Sequence, residues 1–131
     1  MKDNLKLIIK NAYTPFSNFN VACAVVMKDG QEFLGVNVEN ASFKNGLCAE
    51  QVAISAAIAE GYTNFDFKEL HVMGSSKEIT CPCFLCRQLL VEFFLPESKI
   101  FCYNKNGKKN EYTVEHLCPE AFNFDEVKND K

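Results

Sequence analysis

Two short cysteine motifs constrain the fold of this 131-residue chain more than any other feature. Residues 48–50 read CAE, and residues 82–86, which begin 32 positions after Glu50, read PCFLC. Three thiols with one position left for solvent are the arrangement of a catalytic zinc ion, whereas a structural zinc ion is closed by four ligands. The fold must therefore bring the thiols of two distant motifs together, with the Glu50 carboxylate beside them and spare for proton transfer.

The composition is that of a globular protein, with 47% hydrophobic and 24% charged residues. At this length we expect a single domain over residues 1–131, in which about 125–131 form a polar tail. The formal net charge is −3, and the basic residues are scattered rather than grouped. A polynucleotide-binding protein needs a cationic surface to neutralise phosphates, so we expect no nucleic-acid partner and a small neutral substrate.

The N-terminal residues 1–13 carry charges among their apolar positions and lack the hydrophobic core of a signal peptide. No apolar run approaches the roughly 20 residues that a membrane helix needs. We therefore expect a cytoplasmic protein with no membrane partner. In that reducing compartment, the seven cysteines are expected to be thiols or metal ligands rather than disulfides.

Apolar periodicity, turn residues and helix terminators predict three helices and five strands. Asp29-Gly30 is a strong hairpin turn, and the loop at 104–107 is too short for a crossover, so the strands on either side of each should be antiparallel. The predicted fold class is α/β, a three-layer α/β/α sandwich around a mixed five-stranded sheet whose last two strands are antiparallel. The predicted helices cover about 3–13, 48–59 and 83–94, and the predicted strands cover about 20–28, 31–38, 69–74, 100–103 and 111–114.

Both cysteine motifs fall at predicted helix starts, where partial positive charge lowers the pKa of thiols. Two such helix ends aimed at one point would favour a thiolate-bound metal. The spacing alone leaves an alternative open, namely a structural zinc site in which Cys81 or Cys102 supplies a fourth thiolate.

Segments outside the two motifs favour the catalytic interpretation. The chain resembles the small zinc-dependent cytidine deaminases with an all-cysteine metal site, over roughly residues 12–122. The Pro-Cys-x-x-Cys motif with a separate non-ligand Glu is the signature of zinc nucleobase deaminases. The other matching segments are residues 12–19 (AYTPFSNF), 35–42 (GVNVENAS), 86–88 (CRQ), 92–93 (EF) and 119–122 (PEAF).

This resemblance implies a cytidine deaminase-like fold and the hydrolytic deamination of free cytidine or deoxycytidine to uridine or deoxyuridine and ammonia, in pyrimidine salvage. It implies one Zn²⁺ per subunit on Cys48, Cys83 and Cys86, and a zinc-bound hydroxide as nucleophile with Glu50 as proton shuttle. It also implies a homotetramer with sites at subunit interfaces. The implied substrate-binding residues are Phe19 against the base, Asn37 and Glu39 on the ribose, main-chain groups of Ala49 and Cys81 on the base edge, and Phe122 from a neighbouring subunit.

Three positions depart from the family pattern. Gln51 replaces an arginine that donates to the thiolates, Phe84 replaces a glycine, and Cys81 replaces a serine. A deaminase for cytosine-nucleoside antibiotics and a polynucleotide-editing deaminase are weaker alternatives, because residues 39–41 and the acidic charge balance disfavour them. The alternative from a different class is a non-catalytic zinc module that mediates protein contacts.

Overall fold

The computed structural model describes residues 1–123, which contain five strands and four α-helices. Two short 3-10 turns, Ile9–Asn11 and Phe43–Asn45, complete the regular structure. The polar tail expected at about 125–131 lies outside the described residues. The helices are α1 (Lys2–Ile8), α2 (Ala49–Ala59), α3 (Phe84–Phe93) and α4 (Val114–Leu117), and the strands are β1 (Val21–Met27), β2 (Glu32–Val36), β3 (Phe67–Gly74), β4 (Lys99–Tyr103) and β5 (Lys109–Thr113).

The five strands form one mixed sheet in the order β2-β1-β3-β4-β5. Only β3 and β4 pair in parallel, and helix α3 provides the crossover that such a pair requires. The β1–β2 and β4–β5 hairpins are antiparallel, as the turn sequences predict. The mixed five-stranded sheet with an antiparallel last pair is therefore confirmed.

Helices cover both faces of the sheet, which confirms the three-layer α/β/α prediction. On one face, Leu5 of α1 packs with Ala22, Ala24 and Met73. On the other face, α2, α3 and α4 bury a larger core against the sheet, in which Ile54 and Leu90 belong to the same cluster as strand residues such as Val72. This larger face also carries the starts of α2 and α3, where the cysteine motifs lie.

Helix α2 lies directly on strand β2 at Gly35. A Cβ atom at this position would approach the Ala49 carbonyl oxygen to 2.5 Å and the Ala53 nitrogen to 2.6 Å, well inside contact distance. Glycine is therefore required for close backbone approach. This packing fixes the first turn of α2, and with it Cys48 and Glu50, relative to the sheet.

Two strands begin about two residues earlier than predicted, β3 at Phe67 and β5 at Lys109, and the helices differ more. The first helix ends as an α-helix at Ile8 and tightens into a 3-10 turn, rather than continuing to residue 13. The short helix α4 was not predicted, and it begins where the Thr113 hydroxyl caps the His116 N–H at 3.1 Å. Along residues 1–123, none of the helices combines the length and the apolar character needed to cross a bilayer.

Candidate active site and metal centre

The fold brings three thiols to one point. The Sγ atoms of Cys48, Cys83 and Cys86 all lie within 4.8 Å of one another, and among residues 1–123 no other group of three or more possible metal ligands is this close. Cys48 is the N-cap of α2, Cys83 is the N-cap of α3, and Cys86 lies in the first turn of α3. The prediction that both motifs sit at helix starts is therefore confirmed, and both helix dipoles favour thiolate there.

The donor set fits zinc. Two sulfurs bound to one tetrahedral zinc ion at about 2.3 Å lie roughly 3.8 Å apart, which is within the spread of these thiols. Cys81 and Cys102, the candidate fourth ligands, are not members of the group. All seven cysteines carry free thiols. The arrangement of three sulfurs with an open side favours a catalytic over a closed structural site.

The three thiols change one another's pKa values. Hydrogen bonding to the Cys86 thiol lowers the pKa of Cys48 to about 6, against the opposing effect of burial, and the Cys83 thiol acts in the same direction. The same hydrogen bond, with burial second, raises the pKa of Cys86. Because metal ligands bind as thiolates, the cluster can exchange its protons for a cation, with Cys48 ionising first.

Glu50 adjoins the cluster without belonging to it. Its side chain is only 4% exposed, and burial raises the pKa of the carboxyl to about 7. The charge of Cys48 raises this pKa further, and Glu50 lines the same pocket as Cys48 and Cys83. A carboxyl with a near-neutral pKa can both accept and donate a proton at physiological pH, which is the property required of a general acid–base group.

The structure accounts for two of the three departures from the family pattern, Gln51 and Phe84. Gln51 accepts the Cys48 N–H on its side-chain oxygen at 2.8 Å and forms a capping box at the start of α2, so it holds the backbone of a candidate ligand. Phe84 is the first residue of α3, and it is absent from the described non-glycine residues with positive φ. It is therefore an ordinary helical residue, without backbone strain.

A pocket of about 380 Å³ opens over the cluster and brings most of the predicted substrate-binding residues together. A neighbouring cavity of about 370 Å³ shares Glu39, Phe43 and Gly46 with it. The pocket over the cluster is also lined by residues to which the sequence assigned no role: Val21, Val38, Phe43, Gly46, Leu47, Thr80 and Leu85. The predicted site residues in its lining are Phe19, Asn37, Glu39, Cys48, Ala49, Glu50, Cys81 and Cys83.

The aromatic wall of the pocket depends on a glycine at the end of β3. A Cβ at Gly74 would lie 2.0 Å from the Thr80 Oγ1 and 2.9 Å from the Phe19 ring. Only glycine lets Phe19 and Thr80 meet there. The motif resemblance indicated Phe19, but Thr80 follows β3 in a loop that no local pattern marks.

Asn37 and Glu39 are held by hydrogen bonds within the chain. The Asn37 side chain accepts the Val21 N–H at 2.8 Å and donates to the Phe19 carbonyl at 3.0 Å, so it fixes the backbone that carries Phe19. The Glu39 carboxylate accepts the N–H groups of Phe16 and Ser17 at 3.0 and 3.1 Å, and it also accepts the Ser17 hydroxyl. The Ser17 hydroxyl is the main reason why the pKa of Glu39 lies below its usual value.

Phe122 is the predicted substrate-binding residue that one chain does not bring to the pocket. Its side chain is exposed and is not part of the pocket lining. Its carbonyl accepts a hydrogen bond from Gln88 of α3 at 3.0 Å, so the C-terminal segment is tied to the helix that carries Cys86.

Comparison with known proteins identifies the family. The model of the cytidine and deoxycytidylate deaminase zinc-binding region matches residues 1–104. A cytidine deaminase of Mycoplasma genitalium is 38% identical over 118 residues, covering 90% of this chain and 89% of the relative. One of Halalkalibacterium halodurans is 36% identical, covering 90% and 88%. The crystal structure of a Burkholderia pseudomallei cytidine deaminase superposes with a TM-score of 0.87 at 37% identity, covering 92% and 94%. The chain belongs to the cytidine deaminase family, whose members are hydrolases with a zinc-binding region.

Proposed function

We propose that this protein hydrolyses free cytidine and deoxycytidine to uridine and deoxyuridine with release of ammonia. The observation that carries the proposal is the buried Glu50 carboxyl beside a group of three thiols, in a pocket large enough for a small molecule. Cys48, Cys83 and Cys86 would hold the zinc ion. When bound, zinc acts as a Lewis acid that lowers the pKa of water and so supplies a hydroxide nucleophile near neutral pH.

Glu50 moves the protons in this proposal. Its carboxylate accepts a proton from the attacking water as the water oxygen bonds to C4, and it passes this proton to N3 of the cytosine ring. It then takes the second proton from the new C4 hydroxyl and delivers it to the amino group that leaves from C4. One water is consumed, the C4–N bond breaks, and ammonia departs. The near-neutral pKa of Glu50 suits this double role, because the same group must act first as a base and then as an acid.

The rest of the pocket would bind the nucleoside. We assign Phe19 to the face of the base, main-chain groups of Ala49 and Cys81 to its polar edge, and Asn37 and Glu39 to the ribose. Among the described residues that line the pocket, none is Lys, Arg or His, while Glu39 and Glu50 are acidic. This charge balance favours a neutral nucleoside over a phosphorylated nucleotide.

The same proposal includes a homotetramer with sites at subunit interfaces. Several large apolar side chains are exposed, and Phe43 (79%) and Leu85 (66%) belong to the pocket lining itself. Exposed apolar groups at a site are typical of protein–protein contacts. A neighbouring subunit could then cover the pocket and supply Phe122, and native mass spectrometry would measure the subunit number. We further propose that residues 1–131 form one domain, and that the enzyme works in pyrimidine salvage in the cytoplasm.

The direct test is turnover of cytidine, followed by the loss of its near-ultraviolet absorbance. We expect the zinc-loaded protein to convert cytidine and deoxycytidine, and Glu50→Gln to keep its zinc and fold while kcat falls by about 10²- to 10⁴-fold. The variant keeps the shape of the side chain but cannot take up a proton. No conversion by the zinc-loaded wild type, or undiminished turnover by Glu50→Gln, would contradict the proposal.

A further inference from the structure

Arg87 is the sole arginine in a sequence that otherwise uses lysine for positive charge. It follows Cys86 directly and is half-buried in the first half of α3, whereas a lone cation would ordinarily be placed in solvent. Arginine differs from lysine in presenting a planar fork of donors that can bind two acceptors at once. The half-buried position of Arg87 therefore requires an explanation from the geometry of its hydrogen bonds as well as from its charge.

The guanidinium joins two separate backbone segments. Its Nε donates to the Pro82 carbonyl at 2.7 Å, and its Nη1 donates to the Leu117 carbonyl at 3.1 Å. Leu117 is the last residue of α4, so the cation also lies at a helix C-terminus, where positive charge is favoured. The Phe84 ring covers the guanidinium, with 4.4 Å between Cζ and the ring centroid.

The first of these bonds acts on the metal loop. The Pro82 carbonyl belongs to the peptide group that enters Cys83, and Cys83 is the exposed member of the three-thiol group. A hydrogen bond to this carbonyl restricts the rotation of the peptide group that precedes Cys83, and hence the direction of its thiol.

We propose that Arg87 is a positioning residue for the metal centre, which sets the orientation of Cys83 by bridging the Pro82 and Leu117 carbonyls. The proposal rests on the proposed function, because it takes Cys83 as a zinc ligand. Partners that orient metal ligands from outside the coordination sphere typically change metal affinity by about 10- to 100-fold when they are removed. Arg87 acts in this way through the backbone of a ligand.

The experiment follows the release of zinc from the loaded enzyme to an excess of a chromophoric chelator. We expect Arg87→Met to release zinc about 10- to 100-fold faster than the wild type. Arg87→Lys keeps the charge but cannot span both carbonyls, so it should also release zinc faster, and it keeps the test usable if the Met variant does not fold. The melting temperature of each zinc-free variant shows whether the fold itself has changed.

Two control variants separate this role from others. Lys99→Met removes a charge from an exposed lysine whose ion pair with Glu111 spans 3.6 Å, and it should leave zinc release unchanged. Gln88→Ala removes the side chain that donates to the Phe122 carbonyl, so it loosens the C-terminal segment without touching the metal loop. It too should release zinc at the wild-type rate.

Wild-type zinc release from both Arg87 variants would overturn the proposal. So would a Lys variant that matches the wild type, since charge alone would then suffice, or a Gln88→Ala variant that releases zinc as fast as Arg87→Met. A lower melting temperature with unchanged zinc release would reduce Arg87 to a stabilising residue. The rate of zinc release is measured independently of turnover. A zinc-loaded wild type without activity would therefore contradict the proposed function, while the comparison of zinc release among the variants would still test the role of Arg87.

Discussion

The two ends of the pocket are built in opposite ways. The metal end, formed by Cys48, Glu50, Cys83 and Cys86, lies on the first turns of two helices that pack on the sheet. The loop end, formed by residues 14–19 and 37–47, consists of irregular chain and exposed side chains joined by hydrogen bonds to Glu39. The proposed chemistry therefore lies on helices that pack on the sheet, and the proposed sugar contacts lie on loops.

The two carboxylates of the pocket show the same contrast. Burial raises the pKa of Glu50 at the metal end, whereas hydrogen bonds from Ser17 and Phe16 lower the pKa of Glu39 at the loop end. One carboxyl can thus exchange protons near neutral pH, while the other remains charged and accepts hydrogen bonds. The environment, rather than the residue type, gives the two their different proposed roles.

The largest expected effect follows from removing a ligand at the metal end. Cys83→Ser should abolish stoichiometric zinc binding and turnover, because a serine hydroxyl does not replace a thiolate at a site with only three protein ligands. Cys118→Ser is the matched control, since that half-buried cysteine lies outside the three-thiol group. Metal analysis after gel filtration measures both variants, and full zinc content in Cys83→Ser would break the assignment of the metal end.

The next effect concerns the zinc-free protein and the raised pKa of Glu50. A carboxyl whose pKa is higher in the folded than in the unfolded state stabilises the fold at pH values below its pKa in the unfolded state. This contribution is lost as the pH rises through its pKa in the folded state. The contribution of Glu50 to the free energy of unfolding should therefore fall by roughly 3 kcal/mol as the pH rises from its ordinary pKa of 4.5 to about 7. Glu50→Gln should lack this fall, and urea unfolding of both proteins across that range would measure the difference. Parallel pH profiles would show that Glu50 is not buried as described.

At the loop end, Glu39→Gln should act on substrate binding and not on the metal. The variant loses the charge that accepts two N–H groups and the Ser17 hydroxyl, and hydrogen bonds to charged groups are worth about 1.5–3 kcal/mol. We expect kcat/KM for cytidine to fall by about 10- to 100-fold while the zinc content stays at the wild-type value. Loss of zinc from this variant would show that the two ends are not independent.

The smallest expected effect is that of Ser17→Ala, which removes one hydroxyl from the loop end. The hydroxyl donates to Glu39 and accepts the Phe19 N–H at 3.1 Å. The two backbone N–H donors still hold the carboxylate at this exposed site, so kcat/KM should fall by only about 3- to 10-fold, chiefly through KM. An unchanged KM would show that the Glu39 carboxylate is held by the backbone donors alone.

The difference between the metal end and the loop end also explains which features could be predicted from the sequence. The metal end was accessible from spacing, because a ligand at a helix N-cap and another three residues later are local patterns, and the structure places all three thiols together. The two antiparallel hairpins also followed from turn residues and loop length. The roles of Phe19, Asn37 and Glu39 came only from resemblance to a family, and they remain predictions.

The features that the sequence did not predict depend on contacts between distant segments. Arg87 and Leu117 are 30 residues apart, and their hydrogen bond joins a helix to a four-residue helix that was itself missed. The internal hydrogen bonds of Asn37 connect it to the start of β1, which no local pattern indicates. Propensity and periodicity describe neighbours along the chain, so they cannot specify such pairs.

The most direct test of the central claim is a titration of the zinc-free protein with zinc, in which bound metal and cytidine turnover are measured on the same samples. We expect turnover to be absent without zinc, to rise in proportion to the bound metal, and to level off when each chain holds one ion. Equal turnover with and without zinc, or one tightly bound ion per chain without any turnover, would contradict the account.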